Sequence, residues 1–235
     1  IGTDLIKVMT GIRRSGKSVM LELIKQELID SGVSSSQFIS INFEDMRYTH
    51  LQTAKALYDE ISSRSAGIDG KIYLFFDEIQ EVKDWEKCIN SFRVALDCDI
   101  YITGSNAKLL SGELATYLAG RYVEFIVYPF SFAEFLELYH SVFPEETVQK
   151  SFQQYILYGG MPYLANIRYA DEPSRQYLQD LFNSVQLKDI VKRNKIRDVD
   201  LLERIMAYVM ANVGNTFSAS SLAKFLKSEQ RTVAP

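Results

Sequence analysis

Apolar residues in the first half of the chain come in short runs separated by amphipathic stretches, the alternation expected of a parallel sheet covered on both faces. Runs at 6–10, 38–43, 72–76, 100–103 and 122–128 predict five strands. The run from Ile72 to Phe76 is wholly apolar, as a central parallel strand should be. Between the runs, apolar positions recur at helical spacing: Met20, Leu21, Ile24 and Leu28, with Gly32 as a stop; then Leu51, Ala54, Tyr58 and Ile61. Trp85, Cys88, Ile89, Phe92 and Leu96 mark a third helix, for which Asp84 is placed to cap the N-terminus. Leu110, Leu114 and Leu118 mark a fourth, ending at Gly120. After Pro129 the alternation stops. Ser131 is placed to cap a helix carrying Phe132, Phe135, Leu136 and Tyr139, and Pro144 breaks the chain. A helix over 148–157 leads to the loop Gly159-Gly160-Met161-Pro162, and helical patterns follow at 173–193 and 198–213. Ser218 then caps a short helix with Leu222, Ala223 and Leu226. These breaks divide the chain into 1–128, 129–194 and 195–235.

With 235 residues, 47% of them apolar, the chain can bury a large core and a smaller appendage. A net charge of −4 argues against a dedicated nucleic-acid coat, though it leaves room for a local basic face. Cys88 and Cys98 lack Cys-x-x-Cys spacing, and Cys88 falls on the apolar face of its helix, so a buried thiol in a reducing, cytoplasmic compartment is expected. Two histidines, His50 and His140, cannot build a His-rich metal site. No apolar run approaches membrane-spanning length, so no membrane partner is expected. The sequence opens at Ile1 rather than Met and stops at Pro235 inside a helical pattern, which reads as a piece of a longer protein.

Gly11-Ile12-Arg13-Arg14-Ser15-Gly16-Lys17-Ser18 fits the Walker A pattern and sits between a strand and a helix, the context a phosphate-binding loop requires. Backbone N–H groups of Gly11, Ile12, Arg13, Arg14, Ser15 and Gly16 and the helix N-terminus favour an anion. Lys17 is placed to reach the β- and γ-phosphates, and Ser18 to put its hydroxyl on Mg²⁺. Arg13 and Arg14 make the loop basic; they either contact phosphate or ribose or brace a neighbouring domain. The strand ending Phe75-Phe76-Asp77-Glu78 reads as Walker B, with Asp77 for the metal and Glu78 to polarise a water. Glu44-Asp45 reads as a solvated loop near the same crevice. Thr103-Gly104-Ser105-Asn106 follows the fourth strand. Asn106 is the candidate for reaching the γ-phosphate and the attacking water, with Thr103 and Ser105 as alternatives and an ordinary turn as the plain reading. Arg121, before the fifth strand, is either a surface salt-bridge residue or an arginine finger, in cis or on a neighbouring subunit of a homo-oligomer.

Towards the C-terminus, Lys188, Lys192, Arg193, Lys195 and Arg197 read as a solvated helix face interrupted by Asp189 and Asp198. The segment 216–227 resembles the first helix of a helix-turn-helix, with a second helix beginning at Thr232-Val233, and leaves DNA or protein open as a partner.

Together the double-Arg Walker A loop, Phe75-Phe76-Asp77-Glu78-Ile79-Gln80, Thr103-Gly104-Ser105-Asn106, Gly120-Arg121-Tyr122 and Tyr158-Gly159-Gly160-Met161-Pro162-Tyr163 resemble the bacterial and archaeal AAA-type ATPases that carry a C-terminal domain of unknown function. The resemblance implies an α/β P-loop fold with sheet order 5-1-4-3-2, a small helical lid over 129–194 and the start of a winged-helix domain over 195–235. It also implies ATP as the nucleotide, Asn106 as first sensor and Arg121 as finger; Arg168 is the candidate for a second sensor. No guanine-reading Asn-Lys-x-Asp is present. The expected activity is Mg²⁺-dependent hydrolysis of ATP to ADP and phosphate with a coupled domain movement. The alternative is a slow nucleotide-controlled switch that recruits DNA or a protein through its C-terminal region.

Overall fold

The computed structural model describes residues 4–104, 118, 120–185, 190–191, 196–216 and 218–226. The chain divides into two compact units, Ile1–Gln179 and Asp180–Pro235.

The first unit is built on a parallel five-stranded sheet. Its strands are β1 (Ile6–Thr10), β2 (Phe38–Asn42), β3 (Ile72–Asp77), β4 (Cys98–Thr103) and β5 (Tyr122–Ile126). Their order is β2-β3-β4-β1-β5, and every pairing is parallel. That is the expected 5-1-4-3-2 order seen from the other edge. Helices α1 (Lys17–Asp30), α2 (Ala54–Ser65) and α3 (Trp85–Ala95) connect the first four strands.

Because successive strand residues point to opposite faces, alternate positions feed two cores. Ile6, Val8, Ile39, Ile41, Leu74, Phe76, Ile100 and Ile102 pack with Leu57 and Ile61 of α2 and Ile89 and Phe92 of α3. Met9, Phe75 and Tyr101 pack on the other face with Leu21 and Leu28 of α1, where the Phe75 and Tyr101 rings stack at 4.7 Å. Met20, expected on the buried stripe of α1, is instead 39% exposed; the stripe is carried by Leu21, Ile24 and Leu28.

The same α1 face hides a feature that the apolar pattern conceals. Lys7 of β1 and Asp99 of β4 are 3% and 1% exposed and form an ion pair. The Tyr101 hydroxyl donates to the second carboxylate oxygen of Asp99 at 3.0 Å, and the Lys7 ammonium lies 5.4 Å from the Tyr101 ring centroid. Asp99 interrupts the apolar run, which suggests a start at Ile100, but its partners let β4 extend back through it to Cys98.

Helix ends follow local chemistry. Ser131 and Glu134 form a reciprocal capping box at the start of α4 (Phe132–Val142), as expected. Asp84 does not cap α3. It adopts a left-handed conformation with φ +58°, and its carboxylate takes an ion pair with Lys87 at 3.0 Å in place of a helix N–H. Cys88 is buried and Cys98 half-buried, both as free thiols, and burial pushes their pKa values up to about 12 and about 11.

After β5, α4 packs on α5 (Val148–Tyr158) through a cluster of aromatic rings that includes Phe132, Phe135 and Tyr155. The Gly-Gly-Met-Pro loop then folds back on the strand exit. Phe130 N–H donates to Gly160 O at 2.8 Å, and a Cβ on Gly160 would lie 2.0 Å from Phe130 O. The backbones therefore approach too closely for any side chain. Residue 179 falls inside the next helix, α6 (Asp171–Ser184).

In the second unit, α7 (Val199–Ala211) is capped by Asp198 and packs on α8 (Ala219–Leu226). Arg204 donates to Leu226 O at 2.6 Å, and Tyr208 lies 4.7 Å from Phe225. Ser218 caps α8 as expected, its hydroxyl accepting from Ser221 N–H at 3.1 Å. Thr232-Val233, Lys188, Lys192, Arg193 and Lys195 lie outside the described residues, as do Leu110 and Leu114.

Candidate nucleotide site

The loop at 11–16 leaves β1 at its C-terminal end and turns directly into α1. Gly11 sets its start: φ is +146°, and a Cβ there would stand 2.2 Å from Val127 O. Val127 N–H in turn donates to Thr10 O at 2.7 Å, which locks β5 against the loop. Gly16 occupies the N-cap of α1 with φ +105°, and no side chain caps the helix. The first-turn amides and the positive end of the helix dipole are therefore directed to the loop, the arrangement that attracts a phosphate.

Lys17 is buried at the start of α1, and its ammonium donates to Gly11 O at 3.2 Å and Ile12 O at 3.0 Å, so it lies across the loop. Ser15 is 2% exposed, and its hydroxyl has no hydrogen-bond partner among the described residues. An orphaned buried hydroxyl in a loop of amides fits a phosphate oxygen as the missing acceptor. Ser18 is exposed on the first turn of α1. Arg14 adopts φ +61° and places its guanidinium 5.4 Å from the ring centroid of Tyr177 on α6, which also packs on Tyr163 of the Gly-Gly-Met-Pro-Tyr segment at 5.1 Å. Arg14 thus lies against α6 within the same unit. Arg13 is half-buried.

At the ends of the neighbouring strands a polar row faces the loop. Asp77 ends β3; its Oδ2 accepts from Asn42 Nδ2 of β2 at 3.1 Å, and its Oδ1 accepts from the Thr103 hydroxyl of β4. Thr103 Oγ1 also accepts the Glu78 N–H at 3.0 Å. Thr103 thus ties both acids, and Glu78 is held in the left-handed region at φ +55°. Thr103 was only an alternative in the sequence reading. Asn42 was missed; its register opposite Asp77 is a property of strand pairing, which a single strand's pattern does not carry.

Glu78 is half-buried, and its pKa lies above the ordinary carboxylate range. Burial is the main cause. A hydrogen bond from Gln80 and the field of Lys17 oppose it, and the negative fields of Glu44 and Asp77 add to it. The charges of Lys17, Glu44 and Asp77 thus all reach the Glu78 carboxyl. Glu44 itself is exposed, as a solvated loop requires.

Asn106 and Ser105 fall outside the described residues. Arg121 stands at the opposite edge of the sheet: its carbonyl accepts Ile6 N–H at the N-terminal end of β1, whereas the loop follows Thr10 at the other end. At about 3.3 Å per residue, roughly 13 Å of strand separates the two. Its guanidinium donates to Asn90 Oδ1 on α3 at 2.8 Å. Arg168 lies over the ring of Phe143, 5.5 Å from its centroid. Among the described residues, no group of three or more His, Cys, Asp or Glu could hold a metal by itself, and no helix is long and apolar enough to cross a membrane.

A family model described as an AAA domain matches residues 3–136, and one described as a domain of unknown function (DUF8612) matches residues 149–235. An uncharacterized protein of Haemophilus influenzae is 40% identical over 229 residues, covering 97% of this chain and 56% of that protein. Uncharacterized protein MJ1544 of Methanocaldococcus jannaschii is 30% identical over 230 residues, covering 94% of this chain and 50% of that protein. The chain spans about half the length of these curated relatives. Among solved structures, a mutant of Thermotoga maritima RuvB is 14% identical, with a TM-score of 0.46 and coverage of 98% of this chain and 77% of that one.

Proposed function

The chain belongs to the AAA-domain family, and from that premise we propose that it binds ATP with Mg²⁺ and hydrolyses it to ADP and phosphate. One observation carries the reading: the phosphate loop follows β1 and the two acids follow β3 at the same, C-terminal edge of a parallel sheet, with only β4 between them and its Thr103 bonded to both acids. Loop amides, Ser15 and Lys17 hold the phosphate oxygens. Ser18 and Asp77 hold the metal, which when bound neutralises charge on the phosphate oxygens. Asn42 and Thr103 fix the rotamer of Asp77. Glu78 takes the proton of the attacking water, and its raised pKa brings its basicity nearer to neutral pH. Asn106 completes the water's surroundings. Arg121 acts on the nucleotide of a neighbouring subunit, since it stands at the far edge of its own sheet.

Calorimetry with Mg-ATP on the intact chain tests this. Binding is expected for the wild type and is expected to fall by about 100-fold or more for Lys17→Ala, in line with the loss of a buried charge-assisted contact. No heat with the wild type would end the proposal.

The contact of Arg14 with Tyr177 favours a second element, coupling of nucleotide state to the helical segment. In its extreme form the protein is a slow switch that recruits DNA or a protein through residues 195–235. Turnover measured with and without DNA separates the two, because a switch would bind DNA in one nucleotide state without accelerating hydrolysis.

A further inference from the structure

Gln80 lies in the single helical turn Ile79–Glu81 directly after Glu78. Its Nε2 donates to Glu78 Oε2. Its Oε1 is buried and accepts no hydrogen bond among the described residues. The orientation of the amide is set by chemistry: an ionised carboxylate only accepts, so the NH₂ must face it, and the reverse flip would oppose two acceptors. The backbone of Glu78 is held, since its N–H is tied to Thr103 and it sits at φ +55°.

A buried carbonyl oxygen without a donor is costly, so its presence beside a candidate base asks for a partner. The partner must donate and must be small. It must also stand where Glu78 can reach it. A water molecule meets all three conditions. We propose that Gln80 orients the attacking water: the water gives one hydrogen to Gln80 Oε1 and the other to Glu78, which aims its lone pair at the γ-phosphorus. The inference rests on the ATPase reading above. In the step, the water oxygen forms a bond to the γ-phosphorus and the bond from that phosphorus to the bridging oxygen of ADP breaks. ADP leaves with the electron pair, and one proton passes to the Glu78 carboxylate. Gln80 is not protonated; it keeps the second O–H fixed while the first is lost. The same role, a glutamine orienting the nucleophile in phosphoryl transfer, is chemically well suited to an amide that both donates and accepts.

The test uses the full chain and Gln80→Met, which keeps the volume but removes donor and acceptor. Single-turnover cleavage of Mg-ATP is expected to slow about 10- to 100-fold, with the dissociation constant for Mg-ATP changed less than about twofold. Affinity for Mg-ADP with aluminium fluoride, which mimics the transferred group with its water in line, is expected to fall about tenfold relative to Mg-ADP alone. In the background of Glu78→Gln, adding Gln80→Met is expected to cost less than about twofold more, because both groups act on one water. Cleavage by Gln80→Met at the wild-type rate would overturn the proposal. So would a loss of the same size in both backgrounds, which would mark Gln80 as a structural prop. Should Gln80→Met fail to fold, Gln80→Asn withdraws the carbonyl by one methylene and carries the same expectations. Wild-type chain that neither binds nor cleaves Mg-ATP defeats the ATPase reading. Wild type that cleaves and is stopped by Glu78→Gln but not by Gln80→Met defeats this inference alone.

Discussion

Glu78 combines a left-handed backbone with a half-buried carboxylate, and both cost stability where a base is needed. Burial raises its pKa above the unfolded value. The stabilising contribution is therefore complete in acid, where the group is neutral in both states, and is lost as pH rises through the folded pKa. Glu78→Gln is expected to melt above the wild type at pH 8, with the gap closing as pH falls into the ordinary carboxylate range; thermal melts across pH check this. The same variant is expected to slow turnover by about 100- to 10,000-fold. At this scale the sequence disclosed the loop and the two acids, because their spacing is local. It did not disclose Lys7 and Asp99, which are 92 positions apart and meet only through strand pairing. Lys7→Met alone is expected to destabilise by about 3–5 kcal/mol, since it removes the cation paired with a buried carboxylate. Replacing Asp99 with Leu as well is expected to recover most of that loss in denaturant melts.

Among the elements, the strands are legible from apolar runs, and the starts of α4 and α8 from their caps Ser131 and Ser218. The exception was Asp84. Nothing in the residue's type distinguishes a side chain that caps a helix from one that pairs with Lys87, because both satisfy the carboxylate. Ser131 shows the opposite case, with Glu134 three positions on supplying the reciprocal bond. Ser131→Ala is expected to cost about 1 kcal/mol. Gly160 matters for a different reason, the 2.0 Å approach of a would-be Cβ to Phe130 O. Gly160→Ala is expected to destabilise by about 1–3 kcal/mol and to loosen α5 from the strand exit. Hydrogen exchange at the Phe130 amide, which donates to Gly160 O, reads that loosening directly. The two glycines at 159 and 160 could be read as a loop from sequence, but not as the place where that loop is seated.

For the whole molecule, the alternation of runs announces a parallel sheet, whereas its strand order is legible only through the family resemblance. The side of the sheet on which Arg121 stands did not follow, since a residue beside a strand end has no direction until the strand is paired. Mixing Arg121→Ala chains with Lys17→Ala chains tests the consequence. Each is expected to be inactive alone, and the mixture is expected to regain turnover, because each partner carries what the other has lost. A mixture that stays inactive would remove Arg121 from the chemistry. If Arg121 acts in trans as proposed, a solitary molecule would grip its fuel but not burn it; throughput would then depend on crowding, and a cell could throttle the machine simply by how many copies it keeps.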